Sequence, residues 1–383
     1  MTAWKRIIGC MALAISTSSF AQIPDLLNSL DAGSRAMGMA GSIQTAGSDT
    51  NATLNNPAGL GYIDEAAVGI SIRNLPNSKS IARTDFRNPI LTTNAGRGGY
   101  GLTHVGATLP IKRKGGGQVA TLGIAYTMGG FIRDERTNDG PLAIDPNSSV
   151  TAYRELIRAQ VDYFTIGAGT TNRDQTFAYG FGIVFATAHV LNQQDYTITT
   201  NGTPTQNPPL SLSGQATGTG LVFGVQHVPA NNSNLSVGLS LRTPIDMKNN
   251  RVVSQYYDKI PGKVSLGAAY RQTGYRGGQD YLLLGAQVDG TFRNERRQAL
   301  QRKRVMNVGF GAEYGYLWNN ARIPIRIGYL ANPSGGNGFA DRNAFTFGFG
   351  YRPFNSSYSV EFNFANAGGG TDSALMLNYR FKN

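Results

Sequence analysis

The chain has 383 residues, among them 49 glycines and one cysteine, and charged residues make up only 15% of it. This composition disfavours an ordinary cytosolic enzyme and a disulfide-stabilised secreted domain. The net charge of +12 suits nucleic acid, anionic lipid or acidic solutes equally well, so the sign of the charge selects no partner.

The first residues have the pattern of a secretory signal peptide. Two basic residues precede an apolar run from Ile7 to Ile15, and Ser19-Phe20-Ala21 matches the small-residue cleavage site. We expect residues 1–21 to be removed, so that the exported chain starts at Gln22 and has lost its single cysteine, Cys10. A lipoprotein with a lipidated Cys10 is the alternative, but very few residues separate Cys10 from the basic pair.

A stretch of small residues runs from Gly33 to Gly61. Gly, Ala, Ser, Thr and Asn dominate it, and Met37 and Met39 are nearly its only large side chains. Such a segment cannot build a hydrophobic core of its own. We therefore predict that residues 22–63 form a plug, or hatch, enclosed by the rest of the chain.

From residue 65 onward, apolar and polar residues alternate with a period of two, which is typical of strands with one apolar face. Phe345, Phe347 and Phe349, for example, alternate with Thr346 and Gly348. Because no apolar run beyond the leader reaches about 18 residues, only strands could carry this chain through a membrane. The pattern predicts fourteen strands, at residues 65–75, 99–110, 118–132, 153–171, 175–196, 210–228, 234–246, 260–271, 280–293, 302–317, 322–331, 344–353, 357–365 and 373–381.

The connections between these segments alternate between short turns and longer loops. Outer-membrane barrels have this pattern, with short periplasmic turns and longer extracellular loops. The sequence thus predicts an all-β fold: a 14-stranded antiparallel transmembrane β-barrel over residues 64–383, with the plug in its lumen and both termini in the periplasm. A soluble β-sandwich is the alternative. Glycines opposite the bulky residues of many strands favour the barrel, because its lumen must leave room for the plug.

Several stretches resemble a known family. They are Arg35-Ala36-Met37-Gly38-Met39-Ala40-Gly41 with Asp49, then Asn56-Pro57-Ala58-Gly59-Leu60, and, in the later strands, Ile323–Tyr329 and Phe345–Tyr351. These residues resemble the FadL and OmpP1 (TodX-like) outer-membrane transporters and the related PorV-type barrels. The resemblance implies fourteen strands, an amino-terminal plug and a multi-pass location in the bacterial outer membrane.

The plug motif has a physical logic of its own. Pro57 fixes its own φ and forces Asn56 into an extended conformation, where the Asn56 side chain can bond backbone groups of a segment enclosed in the lumen. Ala58 and Gly59 would let the chain pass close to the wall. The motif comprises Arg35, Gly38, Gly41, Asp49, Asn56, Pro57, Ala58 and Gly59.

Charged residues occur at inward positions of the predicted strands. In a lumen that contains water they could pair with one another and with Arg35 and Asp49, which would fix the plug in place. Contact with the carboxylate of a solute is the alternative. The candidates are Arg73, Arg242, Lys263, Arg271, Asp289, Glu313, Arg326, Arg352, Glu361 and Arg380.

A basic cluster in a predicted outer loop could bind phosphate groups of lipopolysaccharide or another outer-membrane lipid, although a solvated loop is the simpler interpretation. It comprises Arg293, Arg296, Arg297, Arg302, Lys303 and Arg304. The three histidines, His104, His189 and His227, fall on separate strands without metal-ligand spacing, and no paired base marks a nucleophile. We therefore predict no enzyme activity, metal, cofactor or nucleic-acid partner.

The leading hypothesis for function is a channel for passive uptake of hydrophobic or amphipathic small molecules, such as long-chain fatty acids. The resemblance implies a lateral exit at a kink in the third strand, and Gly129-Gly130 could supply that kink. The alternative is a PorV-like barrel that acts as a scaffold or anchor for protein secretion, with a secreted protein as partner. A general diffusion porin fits less well, because porins constrict the lumen with an inward-folded loop and lack this amino-terminal signature.

Overall fold

The computed structural model describes residues 34–83, 90–112, 118–247, 250, 253, 259–275, 280–292, 306–332, 343–367 and 370–381. Their dominant feature is one large antiparallel sheet of fourteen long strands that closes on itself, because the first strand pairs with the last from Ala66↔Phe381 to Arg73↔Ala374. The predicted leader and the first part of the predicted plug, residues 22–33, lie outside the described residues.

The strands are numbered β1 to β18 in chain order. Four short ones lie in connections: β4 (Leu142–Asp145), β7 (Thr203–Gln206), β10 (Ile245–Asp246) and β11 (Lys259–Ile260). The fourteen barrel strands are β1 (Ala66–Arg83), β2 (Ile90–Lys112), β3 (Gln118–Asn138), β5 (Ser148–Thr171), β6 (Phe177–Thr200), β8 (Leu210–His227), β9 (Leu235–Arg242), β12 (Gly262–Gly274), β13 (Asp280–Phe292), β14 (Met306–Trp318), β15 (Ala321–Ala331), β16 (Ala344–Pro353), β17 (Tyr358–Ala367) and β18 (Gly370–Phe381). Each predicted segment overlaps one of them, so the predicted fourteen-stranded barrel is confirmed.

Several strands in the first half of the barrel are longer than predicted. The sequence ended the first strand at residue 75 and began the second at residue 99, whereas β1 continues to Arg83 and β2 starts at Ile90. The prediction followed alternation of apolar and polar side chains, and these stretches are mostly polar on both faces. Backbone groups pair there all the same, because pairing does not require an apolar side chain.

Large hydrophobic side chains cover the outside of the barrel. Phe345 is 72% exposed and Ile327 is 60% exposed, whereas Glu361 and Asn363, which point the other way, are buried. Aromatic rings meet across neighbouring strands, as at Tyr329 and Phe345, whose centroids are 4.9 Å apart. An exterior this apolar is unfavourable in water and is typical of a barrel surrounded by lipid.

The described helices are short and lie at the amino-terminal end. They are α1 (Ser34–Gly38), α2 (Ala52–Asn55) and a 3₁₀ helix, Pro57–Tyr62. Among the described residues, none of the helices has the length and apolarity needed to cross a membrane.

The lipid-facing exterior can be tested by placing a charge on it. Ile327→Arg puts a cation in the middle of the apolar band, and such a change in a membrane barrel costs about 2–4 kcal/mol of folding stability. Gln193→Arg is the matched control, because Gln193 is exposed on the mostly polar extension of β6. Unfolding of both variants by guanidinium chloride in lipid vesicles measures the difference. Equal stability of the two variants would contradict the lipid-facing assignment of the band.

Candidate functional site

The amino-terminal segment, residues 34–63, lies against the inner face of the barrel. Met39, Asn56 and Leu60 are each 0% exposed, and the Thr346 hydroxyl of β16 donates to the carbonyl oxygen of Gly38 at 3.0 Å. The segment thus occupies lumen space in the place predicted for the plug. That it closes the lumen stays a prediction.

Glycines on the inner face make room for this segment. A Cβ atom added at Gly311 would lie 2.5 Å from the carbonyl oxygen of Met39, and one added at Gly69 would lie 2.6 Å from the Thr50 hydroxyl oxygen. Side chains would also meet the segment at Gly106, Gly123, Gly169, Gly180, Gly224, Gly238, Gly267, Gly285, Gly309 and Gly328. Wall and segment are therefore complementary in shape along most of the segment's length.

The Asn56-Pro57-Ala58 turn is held by the side chain of Asn56. The backbone of Asn56 is extended, with φ −154° and ψ 94°, as the following proline requires. Its amide nitrogen donates to the carbonyl oxygens of Thr45 at 2.6 Å and Val225 at 3.3 Å, and its amide oxygen accepts from the Ala58 N–H at 3.2 Å. One side chain thus joins two parts of the segment to β8.

The remaining motif residues have separate roles. Gly38 packs directly on Asn363 and Arg326, where a Cβ atom would overlap the Asn363 side chain. Gly41 has a φ of +77°, a conformation that suits glycine. Asp49 accepts a hydrogen bond from the Asn51 N–H at 2.9 Å. Within the described part of the chain, the Asp49 carboxylate is therefore bonded to the backbone amide of Asn51. The predicted pairing of Asp49 with a charged side chain of the wall is not seen there.

Five charged side chains form a network at α1, in which Glu313, Arg326 and Glu361 are buried and Arg35 and Arg352 are partly exposed. Arg35 makes a two-pronged bond to Glu313, at 2.8 and 3.0 Å. Arg326 pairs with Glu313 and, at 3.5 Å, with Glu361, which also pairs with Arg352 at 2.6 Å. Burial lowers the pKa of Arg35, but the Glu313 carboxylate outweighs it and raises that pKa, so the guanidinium stays charged. The network ties the start of the segment to β14, β15, β16 and β17.

Other predicted lumen charges pair along the wall. Arg73 pairs with Asp372 at 2.6 Å, and Lys263 pairs with Asp289 at 3.3 Å. Asp372 was not among the predicted lumen charges. It could have been identified from its place on β18, because residues two apart on a strand share a face and Ala374 and Met376 point inward.

Three further predicted charges lie apart from these pairs. The guanidinium of Arg242 lies 4.8 Å from the ring centre of Tyr163, and that of Arg271 lies 4.3 Å from the ring centre of Tyr281. Such positions favour cation–π attraction. Arg380 is exposed near the end of β18. The structure therefore brings Glu313, Arg326, Arg352 and Glu361 together and pairs Lys263 with Asp289. Arg271 borders the first group through Tyr281, whose hydroxyl donates to Glu313, and Arg73, Arg242 and Arg380 lie in separate places.

The described parts of the connection between β9 and β12, residues 243–247, 250, 253 and 259–261, include side chains that lie in the lumen. Its short strands β10 and β11 pair with each other at Ile245↔Ile260. Ile245 packs on inward glycines of β8, since a Cβ atom at Gly218 or Gly220 would lie 2.6 Å from its side chain. An inward-folded loop was expected of a general porin, and here it accompanies the amino-terminal segment.

Apolar side chains line the lumen along β5, β6 and β8, beneath this inward connection. The alternation in the sequence suggested small or polar residues on the face opposite the bulky one. In this sector the inner face also has apolar side chains, which the connection and Leu54 of the segment cover. The cluster comprises Leu54, Ile157, Ala159, Val161, Tyr163, Val184, Ala186, Ala188, Val190, Ala216, Val222, Ile245, Met247, Val253 and Ile260.

The wall has a gap between β2 and β3. Backbone pairing of these strands ends at His104↔Thr127. Beyond that point β2 continues to pair with β1. On β3 the next pairing at this edge is with β1, in parallel, and begins at Asp134↔Ser78. Across the described strands, no backbone pairing joins residues 128–133 to β2. A bulge on β3 between Met128 and Gly130 lies at the same place, where the kink was predicted.

Side chains close this gap. Leu75 of β1 packs on Met128 and Phe131, which are both buried. Tyr163, part of the apolar lumen cluster, lies so close to Gly129 that any Cβ atom there would overlap its ring. The gap is therefore covered by apolar contacts without backbone hydrogen bonds, and it adjoins the apolar sector of the lumen.

The remaining predicted sites are the basic cluster and the three histidines. The basic cluster from Arg293 to Arg304 lies outside the described residues. Of the histidines, His104 is buried, and His189 and His227 are exposed. No group of three or more His, Cys, Asp or Glu side chains suited to a metal ion occurs in the described ranges.

The fit between segment and wall predicts a strong effect of a side chain at Gly180, which packs against Pro57. Gly180→Val should displace the Asn56-Pro57-Ala58 turn, because the added atoms overlap its backbone. Digestion of the detergent-solubilised barrel by proteinase K should then cleave the segment faster. Gly290→Val is the control, because a Cβ atom at Gly290 meets nothing within 4 Å. Equal cleavage of the two variants would rule out the close packing.

The buried network predicts that Glu313→Gln is costly. It removes the charge between Arg35 and Arg326, and breaking a buried ion pair costs about 3–5 kcal/mol. Chemical denaturation should show this loss, and trypsin should cleave more readily after Arg35. Glu135→Gln, which affects the exposed pair with Arg154, should cost at most about 1 kcal/mol. A similar loss in both variants would contradict the anchoring role of the network.

A scan of the sequence against protein-family models gives no match, and a comparison with curated protein sequences gives none either.

Solved structures, in contrast, include close matches in fold. A Pseudomonas aeruginosa FadL homologue matches with a TM-score of 0.61 and 11% sequence identity, covering 93% of this chain and 100% of that one. The P. putida toluene transporter TodX gives 0.62 at 10% identity, with 93% and 100% covered. The Ralstonia pickettii toluene transporter TbuX gives 0.56 at 12% identity, with 92% and 98% covered. The fold that the sequence resemblance implied is therefore confirmed: the chain has the architecture of the FadL and TodX channels.

Proposed function

We propose that this protein is an outer-membrane channel for passive uptake of hydrophobic or amphipathic small molecules. The observation that carries the proposal is the gap between β2 and β3, which apolar side chains such as Leu75, Met128 and Phe131 cover. In a bilayer an interrupted backbone ladder is costly, because lipid cannot satisfy the unpaired groups. A channel that only conducted polar solutes along its axis would have no use for such an interruption.

The solute class follows from the surfaces along the route. An apolar molecule crosses the polysaccharide-rich outer leaflet poorly, so it benefits from a protein route through that layer. In the lumen it would meet the apolar cluster of β5, β6 and β8, and Tyr163 brings that cluster next to the gap. Leaving through the gap would release it into the hydrocarbon of the membrane, where it is soluble. Long-chain fatty acids and monoaromatic hydrocarbons both fit this description.

Other features support the location and direction of transport. The apolar exterior fits an outer-membrane barrel, and the predicted leader fits export. If the amino-terminal segment closes the lumen as predicted, it obstructs the straight route to the periplasm, which favours a sideways exit. The folds of the FadL homologue and the toluene transporter TodX agree with this proposal.

The proposal predicts that weakening the apolar contacts at the gap increases transport. Leu75→Ala removes about 1 kcal/mol of apolar contact, which corresponds to about a fivefold larger open population. Purified protein in lipid vesicles should speed uptake of toluene and of laurate, and the variant should speed it further by about that factor. Leu266→Ala is the control, because Leu266 is exposed on β12, seven strands from β1 in the order of the sheet.

Each alternative has its own outcome in this assay. Folded protein that speeds the uptake of neither solute would end the proposal. Uptake of glucose as fast as that of toluene would favour a general porin. A stoichiometric protein partner that co-purifies without bound lipid would favour the secretion scaffold.

A further inference from the structure

His104 sits at the fork where the wall of the barrel divides. It is the last residue of β2 that pairs with β3, opposite Thr127, and the neighbouring Thr103 is an extra residue in the pairing of β2 with β1 between Ser71↔His104 and Ile72↔Leu102. The position of His104 therefore fixes where the gap begins.

The imidazole of His104 bridges the wall and the amino-terminal segment. Its Nδ1 lies 3.1 Å from the Thr127 hydroxyl of β3, and its Nε2 lies 3.0 Å from the Thr50 hydroxyl of the segment. All three side chains are almost fully buried, and His104 is 2% exposed. Because a neutral imidazole donates from one nitrogen and accepts at the other, both threonines can be satisfied through this one ring.

Thr50 packs against two glycines of the wall. A Cβ atom at Gly69 would lie 2.6 Å from its hydroxyl oxygen, and one at Gly106 would lie 2.8 Å from its Cβ. Thr50 therefore lies directly against the backbone of β1 and β2, and the bond to His104 is lost if Thr50 moves away from the wall.

The segment is held unequally on its two sides. At its start, Arg35 joins the buried ion network through charge-assisted bonds to Glu313. At Thr50 the bond to His104 joins neutral groups, and such bonds are weaker. Loss of the bond between Thr50 and His104 would therefore free the segment next to the gap while the ionic anchor at Arg35 stays in place.

We propose that His104 is a positioning residue that couples the amino-terminal segment to the gap between β2 and β3. While Thr50 is in place, the imidazole is held by two partners and the β2–β3 pairing ends at Thr127. When Thr50 moves away, the imidazole loses one partner, the end of the pairing loosens, and the gap widens. This inference rests on the proposed function for its purpose, because it links movement in the lumen to sideways release.

The test measures the width of the gap directly. The chain has one native cysteine, so nitroxide labels can be placed at Leu102→Cys on β2 and Arg133→Cys on β3 in a Cys10→Ser background. Both labelled positions are exposed. Electron–electron double resonance in lipid vesicles then gives the distribution of distances across the gap. We expect Thr50→Val to move about threefold to tenfold more molecules into a longer-distance population, the effect of one lost hydrogen bond.

Thr53→Val is the matched control. Thr53 is buried in the same segment, and its hydroxyl donates to the Thr50 carbonyl oxygen at 3.2 Å, within the segment itself. The Thr53→Val variant should leave the distribution of distances unchanged. His104→Phe should widen the gap as Thr50→Val does, and the double variant should widen it no further, because both changes remove the same link.

Two results would overturn the proposal. One is an unchanged distribution in Thr50→Val; this variant alone decides the matter if His104→Phe does not fold. The other is an equal change in Thr53→Val, which would mean that any disturbance of the segment has this effect. The measurement contains no solute, so its failure is distinct from a failure of the uptake assay.

Discussion

The requirement that every backbone polar group in lipid be paired governs this structure. Closure of β1 on β18 satisfies it around the barrel, since a closed sheet has no edge. Against that background the interruption between β2 and β3 stands out, because nothing in the topology of a barrel calls for it. The chain compensates with side chains, Leu75, Met128 and Phe131, that bury one another where the ladder stops. A contact of this kind can open and close, which a ladder of hydrogen bonds resists.

The inner surface has two characters. Beside β14 to β17 it is ionic and holds the start of the amino-terminal segment through Glu313. A sector of β5, β6 and β8 that includes Ile157 to Tyr163 is apolar, and the inward connection at Ile245 covers it. Ionic contacts need precise geometry, whereas apolar ones tolerate sliding. The anchored side and the proposed passage for a hydrophobic solute are thus on different parts of the wall.

Much of the fold could be predicted from the sequence, because a strand between lipid and lumen must alternate, as Phe345 to Phe349 do. The predicted strands ended where the alternation ended, so the polar extensions of β1 and β2 were missed. Paired charges were harder to identify: Arg35 was expected to meet the wall, but its choice of Glu313 depends on strand register, which residue types do not encode locally. The same holds for Asp372 and for the place of His104 at the fork. The gap arises because the end of β1 pairs with β3, and these two strands are far apart in the sequence. Gly129-Gly130 was the only local sign of it in the sequence.

The inward glycines have a consequence for what the lumen would be without its segment. A wall of side chains would collapse into a vacated space or repack, but a wall of bare backbone has no atoms with which to fill it. Positions such as Gly180, Gly238 and Gly311 would then border a smooth, rigid-sided cavity with the outline of the departed chain. The dimensions of any route that opens there are therefore set in advance by the backbone of the barrel, and the residues of the segment decide only whether that route is occupied.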